Sequence, residues 1–416
     1  MRADRSARAL ALAALGEWRR GRHFADAILQ RLLGASGLSD PDRAFVTELV
    51  YGVLRSLSLL DFWLAQLRSR SLDDHSRDLL RLGLYQLLCL QIAEHAAVFE
   101  TVAVAPKTSR ALINGVLRNA LRRRDELKHA AAETDVAIRA SHPGFLIDRW
   151  TDAFGVTAAE QMCEWDNTPP LVYCRVNTLK ARVDGFVAAD STREPLPDRS
   201  NFVRLAHVPI EALERGECYI QDPSTSVACE LLDPQPGETV LDACAAPGGK
   251  TGYVAALMKN SGTLIACDRE PERLRLLASN LQRLDVSNAR IVQQDWAAEI
   301  SPALATSQFD RILVDAPCSN TGVMRRRVDV RWRLRPDDFA RMANEQIKIL
   351  RALVPLLKPG GTLVYSTCSI EHEENAGVAA SACAVFPSLR LQEERTLLPF
   401  RDRLDGAYAA KFVTVA

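Results

Sequence analysis

At 416 residues, with 47% hydrophobic and 25% charged residues, the chain has a globular composition and is too long for one ordinary core, so two or three domains are expected. Lysine plus arginine (52) balances aspartate plus glutamate (52), which excludes a global basic excess; any nucleic-acid contact must come from a local patch. The 10 cysteines contain no C-x-x-C pair and no histidine at zinc-site spacing, which argues against a metal centre and for reduced cytoplasmic thiols rather than a disulfide framework.

The opening MRADRSARALALAALGEWRRG places basic residues before an apolar run, as a secretory signal does. That run, Ala9 to Leu15, is mostly alanine and continues into Glu17, Trp18 and Arg19 without a cleavage context, so a first amphipathic helix is expected. No apolar run approaches the ~20 residues a membrane-spanning helix needs. Helical spacing then continues through Ala27, Ile28, Leu32 and Leu33, through Val46, Leu49, Val50 and Val53, and through Leu79, Leu80, Leu82 and Leu87. Breakers at Gly34–Pro41, Ser69–Asp74 and Pro106–Ser109 separate these runs, predicting a helical bundle over residues 1–135. Two arginine groups on it, Arg19, Arg20 and Arg22 and then Arg118 with Arg122–Arg124, read either as RNA contacts or as solvated helix ends with favourable cations.

After the polar, alanine-rich Asp125–Ser141, His142-Pro143-Gly144 breaks the helical pattern, and residues 136–225 are expected to form a small α+β module. It contains a helix over Ala158–Glu164, strand-like runs at Leu171–Val176 and Phe202–Leu205, and a polar loop at Asp190–Asn201. From Gln221 the rhythm is βαβ. Strand-like runs occur at Thr239–Ala243, Thr263–Asp268, Arg290–Gln294, Arg311–Asp315, Thr362–Ser366 and Lys411–Val415, with helices at Glu270–Leu284 and Asp337–Leu357. This predicts a mostly parallel, doubly wound sheet over residues 226–416.

Three motifs stand where strand-like runs end: VLDACAAPGGKT (Val240–Thr251), DAPCSNTG (Asp315–Gly322) and YSTCS (Tyr365–Ser369). Open α/β sheets bind ligands outside the carboxyl ends of their strands, so the motifs should converge. The first resembles a P-loop, but Cys244 stands where the first glycine is required and Pro247 stiffens the loop. A glycine loop with no phosphate to cradle suits S-adenosyl-L-methionine, because Gly248 and Gly249 permit close backbone approach. Asp268 is placed for the ribose hydroxyls and Asp295 for the adenine amino group, although an aspartate at a strand end is equally a turn or cap residue.

A lone cysteine is ordinarily a small buried hydrophobe. Cys318 and Cys368, at the ends of neighbouring strands, instead suit thiol chemistry. Methylation of an amino group needs no thiol. The C5 of cytosine is a poor nucleophile until a thiolate adds to C6; the ring then attacks a sulfonium methyl, loses the C5 proton and expels the thiol. Asp315 would accept from the cytosine amino group or share a proton with N3, and Lys250 would either counter nearby charge or brace the loop. Arg325–Arg327 with Arg331 and Trp332 form the expected basic-aromatic RNA patch.

These motifs, together with Glu373-Glu374-Asn375, resemble the RsmB (Sun/Fmu) branch of RNA cytosine-5 methyltransferases nearly end to end. DRAFVTELVYGVLR, EHAAVFETVAVA and ALINGVLRNALRR resemble its NusB-type helical domain, although Ile113–Asn119 ends in Asn119 where the family pattern has arginine. PPLVYCRVNT resembles the linker domain that helps hold RNA, with Arg175 and Asn177 as the matching residues. The resemblance implies an all-α NusB-like bundle, a small α+β linker domain and a Rossmann-like class I methyltransferase domain. It implies Cys368 as nucleophile and Cys318 as the thiol that assists release. It also implies S-adenosyl-L-methionine held by Cys244, Ala245, Ala246, Pro247, Gly248, Gly249 and Lys250 with Asp268, Asp295 and Asp315. Glu374-Asn375 would fix the Cys368 loop, and DGAY (Asp405–Tyr408) departs from the usual Asp-Gly-Phe-Phe in a way that bears on packing. The expectation is a monomeric, metal-free cytoplasmic enzyme forming 5-methylcytosine in 16S rRNA. The alternatives are the same chemistry on tRNA or large-subunit rRNA, and a non-catalytic NusB-like assembly factor.

Overall fold

The computed structural model describes residues 6–90 and 92–415; Arg2 and Arg5, the basic flank of the first apolar run, lie outside the described residues. Among the described residues no helix is long and apolar enough to cross a membrane. The chain divides into two compact units, Met1–Thr168 with Met324–Arg333, and Pro169–Val323 with Leu334–Ala416.

The first unit is helical. Its helices include Ala7–Arg19, Ala25–Gly34, Asp40–Arg55, Leu57–Leu67, Asp74–Leu84, Glu94–Ala103, Arg110–Arg122 and Arg124–Ala132. Ser6, Ser39 and Asp73 cap three of them by accepting from Ala9, Asp42 and Ser76 N–H groups, which have no partner inside the helix. The leucines read at helical spacing do form the core: Leu49, Val53, Leu79, Leu82, Ile113 and Leu117 are buried. His142-Pro143-Gly144 does more than break the pattern, because Pro143 leads directly into a helix, Gly144–Phe154, followed by Val156–Asn167 across Gly155 at φ +87. A proline tolerated at a helix start and a proline that stops one look alike in sequence. Met324–Arg333 also packs within this unit. Val328 joins its core, Asp329 accepts from Trp18 Nε1 (3.1 Å) and Ala25 N (2.8 Å), and Trp332 Nε1 donates to the Leu54 carbonyl (2.7 Å).

The second unit holds two sheets. Strands β1 (Val172–Val176), β2 (Glu194–Leu196), β3 (Arg199–Leu205) and β4 (Cys218–Ile220) make a small antiparallel sheet, ordered β2-β3-β1-β4. The larger sheet contains β5 (Thr239–Asp242), β6 (Thr263–Asp268), β7 (Ala289–Gln293), β8 (Phe309–Asp315), β9 (Leu357–Thr367), β10 (Leu389–Leu397) and β11 (Ala407–Thr414). Its order is β10-β11-β9-β8-β5-β6-β7, with β5 to β9 parallel and β10 and β11 antiparallel at one edge. Val240, Leu241, Ile312, Leu313, Val314, Leu363 and Val364 are buried, as continuous apolar runs in two-sided parallel strands should be. The strand order reverses between β5 and β8, which makes the carboxyl ends of these two strands the binding crevice of the sheet.

Candidate active site

Strands β8 and β9 pair in parallel with Asp315 opposite Ser366, so Cys318 and Cys368, each just past a strand end, arrive side by side. Their Sγ atoms are 3.3 Å apart and unbonded. Cys368 Sγ also lies 3.3 Å from Asn320 Oδ1, so the protons can run in a chain, Cys318 donating to Cys368 and Cys368 to Asn320. Asn320 adopts φ +61, a conformation asparagine tolerates, and its Nδ2 donates to the Cys318 carbonyl at 2.8 Å. Gly322 N donates to the Cys368 carbonyl (2.9 Å), and a Cβ added there would stand 2.7 Å from that oxygen and 2.7 Å from Gly406 Cα. Close backbone approach therefore requires glycine at 322. In the divergent DGAY stretch Gly406 keeps this contact and buried Tyr408 meets Tyr365 edge to face, ring centres 6.3 Å apart.

The two thiols are not equivalent. The hydrogen bond to Cys368, then burial, then the charges of Cys368 and Glu374 push the Cys318 pKa well above the ordinary thiol range. Cys318 thus stays a protonated donor beside Cys368. Lys250 Nζ donates to Asp315 Oδ2 at 2.7 Å, and Ser366 Oγ to Asp315 Oδ1 at 3.1 Å. Burial opposes the charge on Lys250, but Asp315 outweighs it and raises the lysine pKa.

The predicted cofactor residues gather at the ends of β5, β6 and β7. Asp242, at the end of β5, is buried and accepts from Thr251 Oγ1 at 2.7 Å, and burial lifts its pKa to about 7. The loop carries Cys244, Ala245, Ala246 and Pro247, the last after a cis peptide bond, and reaches Gly248 at φ +106 before the helix Gly249–Leu257. A Cβ at Gly248 would stand 2.9 Å from Leu277 Cδ1, and one at Gly249 2.9 Å from the Tyr219 ring, so the protein's own packing already demands both glycines. Asp268 is buried; its Oδ2 accepts from Ala246 N (3.3 Å) and pairs with Arg273 (3.4 Å), and its Oδ1 accepts from Glu270 N (3.2 Å). Asp295 is exposed and accepts from Ala297 N at 2.9 Å, while Trp296 Nε1 ties the next residue to the Ala243 carbonyl at 2.7 Å. Carboxylates at successive strand ends repel polyphosphate and accept from hydroxyl and amino groups, an acceptor set that fits a cationic nucleoside such as S-adenosyl-L-methionine.

The arginine-rich stretch expected to form an RNA patch is largely buried instead. Arg325 and Arg331 are buried (3% and 0% exposed). The Arg325 guanidinium lies 3.9 Å over the Trp165 ring, and Arg331 bonds Asn167 Oδ1 (2.9 Å) and the Asp166 carbonyl (3.2 Å). With Trp332 bound to the Leu54 carbonyl, this segment is an anchor inside the helical unit, and Arg327 is the exposed member of the group. Arg175 and Asn177 are also buried: Arg175 bonds Gln221 (3.0 Å) and the Gly249 carbonyl (3.3 Å), and Asn177 Nδ2 bonds the Gly216 and Leu284 carbonyls (2.9 and 2.8 Å). Their observed work is structural. Of the helical arginines, Arg19 pairs with Asp74 and Asp78, Arg123 with Glu126, and Arg124 with Glu94, whereas Arg20, Arg22, Arg118 and Arg122 are exposed. Neither Asn320 nor Gln346 stands out in the sequence; Asn320 becomes a functional candidate through its contacts with both cysteines and Gln346 through its bonds to Pro317 and Glu374.

Three family models match the chain. The model described as 16S rRNA methyltransferase RsmB/F covers residues 229–413, the NusB family covers 5–122, and an RsmF/B-like ferredoxin-like domain covers 142–189. A probable ribosomal RNA small subunit methyltransferase B of Bacillus subtilis is 37% identical over 392 residues, spanning 89% of this chain and 86% of that protein. Among solved structures, PH0851 shares the fold with a TM-score of 0.78 at 24% identity, covering 99% of this chain and 98% of its own. NSun6 from Pyrococcus horikoshii, solved with SFG, does so with a TM-score of 0.59 at 22% identity, covering 66% and 98%.

Proposed function

Because this chain belongs to the RsmB/F family of 16S rRNA methyltransferases, we propose that it methylates C5 of a cytosine in small-subunit rRNA, with Cys368 as nucleophile. The observation that carries the reading is the pair of sulfurs 3.3 Å apart at the ends of β8 and β9. Cys368 attacks C6 as the thiolate, which the Cys318 S–H and the Lys250 charge stabilise. Asp315 orients the ring by accepting from the cytosine amino group, or shares a proton with N3 and so offsets the charge that builds on the ring as C6 is attacked. The Cys244–Lys250 loop with Asp268 and Asp295 would hold S-adenosyl-L-methionine, which when bound would supply the methyl group for the activated C5. Once solvent water takes the C5 proton, the electron pair left behind restores the C5–C6 double bond and expels the Cys368 sulfur, and Cys318 assists by hydrogen-bonding the emerging thiolate.

The target base must leave any stack to reach Cys368, at a cost of roughly a few kcal/mol that is smallest in a loop. The helical unit supplies RNA affinity through Arg20, Arg22, Arg118 and Arg122, and the enzyme works in the cytoplasm on assembling or free rRNA. The test is a denaturing gel of Cys318→Ala and Cys368→Ala mixed with small-subunit rRNA and S-adenosyl-L-methionine. A covalent protein–RNA band from Cys318→Ala alone is the expected result. A band from Cys368→Ala alone reverses the two roles.

A further inference from the structure

Between the two thiol loops lies a buried carboxylate that neither the attack nor the cofactor roles use. Glu374 Oε2 accepts from Ser319 N (2.8 Å) and Gln346 Nε2 (3.1 Å), and its Oε1 accepts from Ser369 Oγ (2.9 Å). Ser319 directly follows Cys318 and Ser369 directly follows Cys368, so one side chain grips the neighbour of each thiol. Gln346 extends the grip by donating to the Pro317 carbonyl at 2.9 Å, and Tyr365 Oη donates to the Glu374 carbonyl at 2.5 Å. The hydroxyls of Ser319, Thr321 and Ser369 close the same pocket at 3.1 to 3.5 Å. The donors to this carboxylate are neutral, and burial raises its pKa. A carboxylate stripped of water in this way is costly unless its hydrogen bonds replace the hydration, and here every one of them ends on a thiol loop or on the Gln346 that supports one.

We propose that Glu374 is a positioning residue for the cytosine chemistry, tying the Pro-Cys loop to the Thr-Cys loop and so setting the separation of the Cys318 and Cys368 sulfurs. This rests on the thiol roles proposed above and adds the element that maintains them. The two loops depend on it unequally. Cys368 keeps the end of β9 and the Thr367–Asn375 bond (2.6 Å) without Glu374, and the Gly322 N to Cys368 carbonyl bond (2.9 Å) still joins the loops beyond Cys318. The Cys318 side loses both the bond to Ser319 N and the orientation of the Gln346 amide on Pro317. Removal of the carboxylate therefore displaces Cys318 first, leaving attack possible and release slow.

The experiment uses the full chain with Glu374→Ala, Glu374→Gln and Gln346→Ala, with Cys318→Ala as control and a thermal melt for each. Two readouts are taken: covalent protein–RNA adduct on a denaturing gel, and the rate at which diamide joins Cys318 to Cys368 as a disulfide. Glu374→Ala should accumulate adduct as Cys318→Ala does, lose on the order of 10²-fold in kcat with KM within about threefold, and form the disulfide about tenfold more slowly. Glu374→Gln should recover part of both, since its carbonyl oxygen still accepts from one loop. A folded Glu374→Ala that turns over within about twofold of the parent, without adduct and with an unchanged disulfide rate, overturns the proposal. Should Glu374→Ala melt below the assay temperature, Gln346→Ala decides by the same readouts: adduct with slower disulfide formation supports the tie, and neither change overturns it. If Cys318→Ala itself gives no adduct, the nucleophile assignment fails, and the disulfide rate alone decides the role of Glu374.

Discussion

Asn320 and Arg331 are eleven positions apart in one loop excursion, yet the stretches around them follow opposite rules. Pro317–Val323 keeps small and polar side chains around the sulfurs, and its shape comes from backbone: Gly322 against Cys368, Asn320 at φ +61. Met324–Arg333 carries a dense positive run and hides much of it, with Arg331 bonded to Asn167 and the Asp166 carbonyl, and Arg325 over the Trp165 ring. The chemistry of the first stretch could be read from residue types because parallel strand ends force the convergence. The burial of the second could not, because an arginine is solvated or buried according to the acceptors the fold brings to it.

Four measurements separate the thiol stretch from the arginine stretch. The largest effect belongs to Cys368→Ala, which should lower methyl transfer by on the order of 10⁴-fold or more while leaving the melting temperature unchanged. Retained transfer would remove the thiol loop from the chemistry. Next comes Arg331→Ala, which strands the Asn167 and Asp166 acceptors and should cost about 3–5 kcal/mol in urea unfolding. An unmoved midpoint would mean that the segment anchors nothing.

The third concerns pH. Burial, then the charge of Arg331, lowers the His142 pKa from 6.5 to about 4. Between those values the unfolded chain binds a proton that the folded chain refuses, so stability is full above the unfolded value and falls as pH drops towards the folded one. The loss is on the order of 3 kcal/mol. His142→Gln should flatten that part of the stability-versus-pH curve, and an unchanged slope would remove His142 from the anchor. The smallest effect is that of exposed Arg327→Ala: no more than about 0.5 kcal/mol in stability, with a salt slope of RNA binding reduced by about one if it meets a phosphate. An unchanged slope would leave Arg327 without an RNA contact.

Legibility followed the same division. The runs at Thr239, Thr263, Arg311 and Thr362 became β5, β6, β8 and β9 because two-sided burial demands unbroken Val, Ile and Leu, which composition reveals. Strand β10 escaped because LRLQEERTL is an exposed edge, charged where alternation would have been sought. Strand β4 and the helix Ser226–Leu232 are too short to establish a period. At the site, Cys318, Cys368, Asp315 and Lys250 were visible as motif residues. Glu374 was visible only as a loop brace, and Gln346 not at all, since it comes from the middle of the helix Asp338–Leu353.

By itself the sequence determined which residue types could do thiol-assisted methylation, and roughly where strands would present them, because strand periodicity and strand-end turns are local properties of the chain. Long-range packing is what buries Cys318 against Cys368, binds Lys250 to Asp315, sets Gly248 and Gly249 against protein, and buries Arg175, Asn177, Arg325 and Arg331. Each of those depends on which distant groups exclude water and which accept a hydrogen bond. Long-range pairing sets both.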